Sequence, residues 1–372
     1  MFEVIVQRSV FLKALSHIQS IVDRKNIAEI SSHLKLEAAG TILTLTALDN
    51  SLSMTATITA EIEQNGSLTL PVHTLYDIIR KFSDEKIQLK IDETQPSMVE
   101  ITSGYSVFHL PFLKSEKFPR IDVGNFDCQF SLASTAMQKI IEKNRHTISQ
   151  EDSRYHLNGI YFHPILENNE LRGTATDGHR LSSTRVPLPK DAKNMPAIIV
   201  PRKTIFELSK IISDKEPEIL VEASATKIKF TIGNLVMISK LIDAEFPDYL
   251  GLIPYNNSLF FNLPSAELSR AVDRATTILM EKSQAIEFSA NVNQLEIQVG
   301  GDHQSLANEK LEINSNLEQF KISFNAKYIL DIMSAIGNNA DVEFKFSDQM
   351  SPVLVQSKED DKTDFIIMPM RV

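Results

Sequence analysis

The chain has 372 residues, 42% hydrophobic and 23% charged, a balance that fits a globular protein of two or three domains. Its net charge of −10 argues against a protein that grips nucleic acid by bulk charge. A single cysteine, Cys128, excludes an intramolecular disulfide and fits a reducing cytoplasm; the histidines are scattered, so no metal or cofactor is expected.

Taken in order, the chain opens on MFEVIVQRSV, which reads as a strand rather than a signal peptide. Phe11, Ala14, Leu15 and Ile18 follow at helical spacing, with Ser9 as candidate cap. Leu34, Leu36 and Ala38, then Leu43, Leu45 and Ala47, alternate with polar residues around Gly40, as antiparallel strands do. After the Asn65-Gly66 turn, Pro71 introduces a second helical stripe of Leu75, Ile78, Ile79 and Phe82. The same layout then returns twice. Met137, Ile140 and Ile141 follow Ser134, with Asn144 breaking the fourth position. Ile205, Leu208, Ser209 and Ile212 follow Pro201. Leu268, Ala271, Val272 and Ala275 follow Ser265, and Ile329, Ile332, Met333 and Ile336 follow Asn325. Period-two strands lie between, at Val221 to Ile232 and Phe288 to Val299, punctuated by Gly233-Asn234 and Gly300-Gly301.

The spacing predicts an α+β chain built as a threefold repeat of helix, strands, helix, strands. Glu116-Lys117-Phe118-Pro119 resembles Ala244-Glu245-Phe246-Pro247, and Asp49 and Asp177 close equivalent strands. These pairs place the domains at residues 1–125, 126–255 and 256–372.

One stretch, Gly173 to Ser183, packs Asp177, His179 and Arg180 around Gly178. Asp-Gly is a strong turn signal, because glycine takes positive φ without steric cost, and the turn is expected to bring all three charged residues to the surface. Three readings compete there. One is an ordinary hairpin turn. Another is an active site in which Asp177 orients His179, though no nucleophile or metal-ligand spacing accompanies it. The third is a docking surface, a polar rim around an apolar floor. Charge is also sorted by element. Lysine and arginine outnumber carboxylates on the first four helices and balance them on the last two, within an acidic chain. This suits helices facing a polyanion while the outside repels it. With no tryptophan and few aromatics, contacts to phosphates are expected rather than base readout.

Five motifs in order, RYHLNG (Arg154–Gly159), ATDGHRLS (Ala175–Ser182), IVPRK (Ile199–Lys203), SKLIDAEFPDY (Ser239–Tyr249) and MPMRV (Met368–Val372), carry a resemblance over the whole length. The chain resembles the bacterial replicative sliding clamps, the β subunits of DNA polymerase III. The resemblance implies three repeated clamp domains, antiparallel sheets outside, and two helices per domain lining a ring of two head-to-tail subunits. It implies a non-catalytic processivity factor that encircles duplex DNA. The family's partner pocket falls on Thr176, Gly178, His179, Arg180, Leu181, Pro247, Leu252, Ile366, Met368, Pro369, Met370 and Arg371. There it takes short peptides of the replicative polymerase, the clamp loader and repair proteins. DNA contacts fall on Arg24, His73, Gln150, Arg154, Tyr155 and His156, with Arg202 and Lys203 beside them. The subunit seam falls on Phe108 and Leu110 against Ile278 and Leu279. The chain departs from the familiar pattern at His73, His156, Gly251, Leu252 and Pro352.

Overall fold

The computed structural model describes the chain except Met1, Arg120, Val372 and residues 25–28, 92–94, 122–123, 213–216, 280–283 and 301–304. Six helices occupy the expected places: α1 (Arg8–Ile18), α2 (Val72–Lys81), α3 (Ser134–Asn144), α4 (Arg202–Ile211), α5 (Ser265–Thr276) and α6 (Ala326–Ile336). Each buries its apolar stripe; in α1 the buried side chains are Phe11, Ala14, Leu15 and Ile18. Among the described residues no helix is long and apolar enough to cross a membrane.

The caps differ from expectation in part. Asn325 caps α6 by accepting from the Lys327 N–H at 3.0 Å. None of the three serines is an N-cap. Gln7 precedes α1, which places Ser9 inside the helix, and Ser134 and Ser265 are the first helical residues of α3 and α5. The preceding strand runs directly into each of these helices, so the cap position belongs to the strand's last residue. Asn144 does not break its stripe. It is fully buried, and its amide donates to Ile140 O at 2.7 Å and Thr184 Oγ1 at 2.9 Å.

The described residues form two compact units that do not follow chain order. One comprises Met1–Thr135, Pro189–Pro196 and Lys203–Leu241; the other comprises Ala136–Leu188, Ala197–Arg202 and Ile242–Val372. Every strand pair among the described residues is antiparallel. In the first unit a five-stranded sheet ends on the edge strand Ser106–Pro111. An eight-stranded sheet joins first-repeat to second-repeat strands, with Leu235–Lys240 laddered to Leu52–Thr59.

In the second unit a nine-stranded sheet runs Ile198–Pro201, Gly159–Ile165, Glu170–Thr176, Arg180–Pro187, Thr363–Ile367, Val353–Ser357, Asp341–Phe346, Leu259–Pro264 and Asn314–Ser315. A four-stranded sheet with the open edge Leu306–Glu312 accompanies it. Helix α3 lies close on the nine-stranded sheet. A Cβ on Gly173 would come within 2.2 Å of Ile140, so only glycine fits there. Helices α5 and α6 pack on a phenylalanine cluster in which Phe261 stacks on Phe344 at 4.8 Å. A second, smaller cluster of Leu181, Tyr249, Ile253, Leu354 and Ile366 also lies in this unit and floors the site described next.

Candidate functional site

The hairpin between Glu170–Thr176 and Arg180–Pro187 turns at Asp177. Asp177 Oδ1 accepts from the backbone N–H groups of His179 at 3.0 Å and Arg180 at 3.1 Å. Thr176 Oγ1 donates to Arg180 O at 2.7 Å and accepts from Gly178 N–H at 3.1 Å. Gly178 has φ +88°, a backbone conformation that favours glycine, whereas a Cβ there would displace only the flexible end of Arg154, whose Nη1 lies 2.7 Å away.

Arg180 departs from the expected surface position: it is 8% exposed. Its Nε donates to Asp177 Oδ2 at 3.0 Å, Nη1 to Asp331 Oδ2 of α6 at 2.6 Å, and Nη2 to His146 O at 2.6 Å. The guanidinium also lies over the Tyr328 ring, 4.2 Å from its centroid. Two carboxylates, a carbonyl and a π face replace its water, which is why this charge can be buried. Burial, and next the Arg180 charge, push the His146 imidazole down to about 3. The ring is neutral, and both its nitrogens are buried without a hydrogen-bond partner among the described residues.

Beside this turn lies a cavity of about 360 Å³, largely apolar. Thr176, Gly178, His179, Arg180 and Leu181 line it from the hairpin, and Leu157 from the turn Asp152–Leu157. Pro247, Tyr249, Leu252 and Ile253 come from the connector after Leu241. Pro352, Ile366 and Met368 complete it from the end of the chain. Met368 is held there by its N–H to His179 O at 2.9 Å. Nine of the twelve expected pocket residues therefore meet at one cavity. Pro369, Met370 and Arg371 do not line it, because Met370 N–H donates to Ser323 O at 2.8 Å and draws the tail aside. Sequence reasoning missed Leu157, Tyr249 and Ile253, and noted Pro352 only as a departure. Leu157 and Tyr249 lay within the RYHLNG and SKLIDAEFPDY motifs, and the apolar residues flanking Pro247 were the available signal.

Tyr249 is 3% exposed, and its hydroxyl meets His163 Nε2 at 2.8 Å. Tyr161 is sandwiched between His163 at 4.6 Å and Phe246 at 4.7 Å. Burial, and next the Arg172 charge, push the His163 imidazole down to about 4. The site does not have the layout of an acid–base centre. The Asp177 carboxylate is spent on its own turn and on Arg180, and the His179 side chain is exposed. An apolar slot walled by a buried cation suits binding of an extended apolar ligand.

The candidate DNA residues fall into two groups. Arg24 and Gln150 are exposed, and Tyr155, at 57% exposure, projects from the 3₁₀ turn Asp152–Leu157. His156 is half-buried, its ring 6.0 Å from that of Tyr155. The others are held in place. Arg154 donates to Asp177 O at 2.9 Å and pairs with Glu151 at 3.1 Å. His73 contacts Val22 O at 2.8 Å and Gln19 Oε1 at 3.1 Å. Lys203 pairs with Asp49 at 2.5 Å and Asp23 at 3.4 Å. Arg202 opens α4, its backbone N–H bonded to Asn158 O at 2.8 Å.

Of the candidate seam residues, Phe108 is 42% exposed on the edge strand Ser106–Pro111, edge-on to Phe82 at 5.5 Å, and Leu110 is half-buried. Ile278 and Leu279 follow α5 and pack against the phenylalanine core of their own unit.

Comparison with known proteins agrees along the whole chain. Family models of the N-terminal, central and C-terminal domains of the DNA polymerase III beta subunit match residues 2–122, 131–248 and 251–371. The beta sliding clamp of Caulobacter vibrioides is 36% identical over 370 residues, 99% of each chain. That of Rickettsia felis is 32% identical, with 100% of each chain covered. Among solved structures, the DnaN sliding clamp of Bartonella birtlesii bound to griselimycin superposes with a TM-score of 0.96 at 34% identity, covering 100% of both chains.

Proposed function

The chain belongs to the DNA polymerase III beta-subunit family, the sliding clamps, and on that premise we propose how its own residues serve a clamp. It is a non-catalytic processivity factor of DNA replication, built from three clamp domains with antiparallel sheets. The proposed domains are 1–125, 126–255 and 256–372. Two copies close head to tail into a ring around duplex DNA, with helices toward the duplex and the sheets outward. A head-to-tail contact that closes on itself gives a ring rather than a filament. The open edge at Ser106–Pro111 pairs with Leu306–Glu312 of a second copy, so that neither edge stays unpaired. Phe108 and Leu110 then meet Ile278 and Leu279. Arg24, Gln150 and Tyr155 reach phosphates directly. His73, Arg154, Arg202 and Lys203 shape the surface around them, and His156 stands beside Tyr155. Topological hold explains how a chain of net charge −10 stays on DNA.

The cavity beside Asp177 is the docking site for the peptides of the replicative polymerase, clamp loader and repair proteins. The observation that carries this is the convergence of hairpin, connector and chain end on one apolar slot. Griselimycin, bound by the Bartonella birtlesii relative, is proposed to occupy the same slot here. The test is retention: loaded protein should stay on nicked circular DNA and leave after linearisation. Direct binding to short duplex should be weak and fall steeply with salt. Tight, salt-resistant binding to linear duplex sinks the clamp reading. Fluorescence-anisotropy titration with labelled griselimycin tests the pocket, and absence of binding overturns it.

A further inference from the structure

The outer wall of the cavity has an unusual support. Pro247 is exposed and Leu252 is 62% exposed, yet both sit on a connector with no strand ladder between Ala244 and Leu259. Two buried side chains in that connector, Tyr249 at 3% and Ile253 at 7% exposure, press it onto the cluster of Leu181, Leu354 and Ile366. Ile253 is apolar and fits wherever the cluster has room. Tyr249 carries a hydroxyl into the interior, and a buried hydroxyl must find a partner. That partner is His163 Nε2 at 2.8 Å. The His163 ring is itself fixed by Tyr161, stacked on it at 4.6 Å, and Tyr161 stacks in turn on Phe246 at 4.7 Å, the residue before Pro247. The connector is thus clasped to the strand Gly159–Ile165 at both Phe246 and Tyr249.

We infer that His163 is a positioning residue for the pocket: through Tyr249 it sets the wall of Pro247 and Leu252 before a ligand arrives. His163 does not itself line the cavity. It acts on affinity by raising the fraction of molecules whose wall is in place, because an apparent dissociation constant grows as that fraction shrinks. The imidazole is neutral, so its Nε2 and the tyrosine hydroxyl bond in either tautomer. Glutamine at position 163 offers an amide that reaches the same hydroxyl, whereas leucine offers nothing.

The inference rests on the pocket reading, and the experiment separates the two. Labelled griselimycin is titrated by fluorescence anisotropy into the intact chain and the variants His163→Leu, His163→Gln, Tyr249→Phe and the double variant His163→Leu/Tyr249→Phe. The wild type should bind. His163→Leu and Tyr249→Phe should each weaken binding about tenfold, the scale of one buried hydrogen bond lost. The double variant should be no weaker than the worse single, because both changes delete the same bond. His163→Gln should stay within about threefold of the wild type, a recovery that a filler of space would not show. No binding by the wild type overturns the pocket itself. Wild-type binding with unchanged affinity in both single variants overturns the role of His163, as does full additivity in the double variant or failure of glutamine to recover binding. Sedimentation and thermal melting of each variant confirm that loss of binding is read on folded protein.

Discussion

At Asp49, in the first compact unit, and at Asp177, in the second, an aspartate closes a strand and accepts from the next backbone N–H groups but one. Asp49 Oδ1 takes Ser51 and Leu52 N–H, both at 2.7 Å; Asp177 Oδ1 takes His179 and Arg180 at 3.0 and 3.1 Å. From there they diverge. The first turn continues into Leu52, fully buried, and Ser53, and its carboxylate is answered by Lys203 of α4. The second continues into Arg180 and Leu181, which wall a cavity, and its carboxylate is answered by Arg180 itself. Asn50 makes the first turn without positive φ, whereas Gly178 needs it. An Asx turn is therefore scaffolding common to two repeats. What makes one of them a site is the exchange of a buried leucine for a buried arginine whose remaining bonds reach Asp331 of α6 and the His146 carbonyl.

The largest test of that contrast is Arg180→Leu, which copies the first turn. It should cost on the order of 3 kcal/mol, because Asp331 and Asp177 lose their cation in a largely buried setting. Lys203→Leu should cost only about 1–2 kcal/mol, since its side chain is one third exposed. Urea unfolding gives both, and equal costs would erase the distinction. Next in size, Gly178→Ala should lose about 1–2 kcal/mol from φ strain. Asn50→Ala, an exposed position, should change stability by less than about 0.5 kcal/mol. Thermal melts showing the reverse order would place the strain in the wrong turn.

Acid sharpens the comparison further. His146, behind Arg180, is neutral in the folded protein down to about 3, while a free histidine protonates near 6.5. Between those values the unfolded chain takes up a proton that the folded chain refuses, so stability falls as pH drops through this window. His146→Leu should flatten that part of the melting temperature against pH, and an unaltered slope would show that the ring already carries charge. Asp49 behaves differently. Burial opposes its ionisation, but Lys203 and the two backbone N–H groups outweigh it and hold the carboxyl below its usual range. Its contribution is complete above the ordinary carboxylate pKa of about 4 and is lost only as pH falls further. The smallest effect belongs to His179→Ala. This exposed residue should change stability by under about 0.5 kcal/mol. It should weaken griselimycin by no more than about threefold, as expected at a rim.

How much of this was legible in the chain follows from the range of the interactions. The helical stripes and alternating strands depend on residues a few positions apart, so Phe11 to Ile18 or Val221 to Ile232 announce themselves. The Asp177-Gly178 turn is equally local. Arg180 was misread because its burial depends on Asp331, 151 residues away, and on a ring of the same distant helix. The clasp of His163 on Tyr249 spans 86 residues and joins a strand to a connector, and no periodicity reports such a pair. The serines before the helices looked like caps in composition alone; whether a strand runs straight into a helix is a matter of backbone path.

The strand Thr363–Ile367 stands in the middle of the nine-stranded sheet, laddered on one side to Arg180–Pro187 and on the other to Val353–Ser357. Without it, the strand Arg180–Pro187 would keep one flank of unpaired amides and carbonyls, and Leu181 would have no Ile366 beside it. Loss of this one strand would open a slot through the centre of the nine-stranded sheet, exposed to any passing strand. Closing the sheet and walling the cavity are thereby one event, because the strand that fills the middle of the sheet also sets Ile366 beside Leu181.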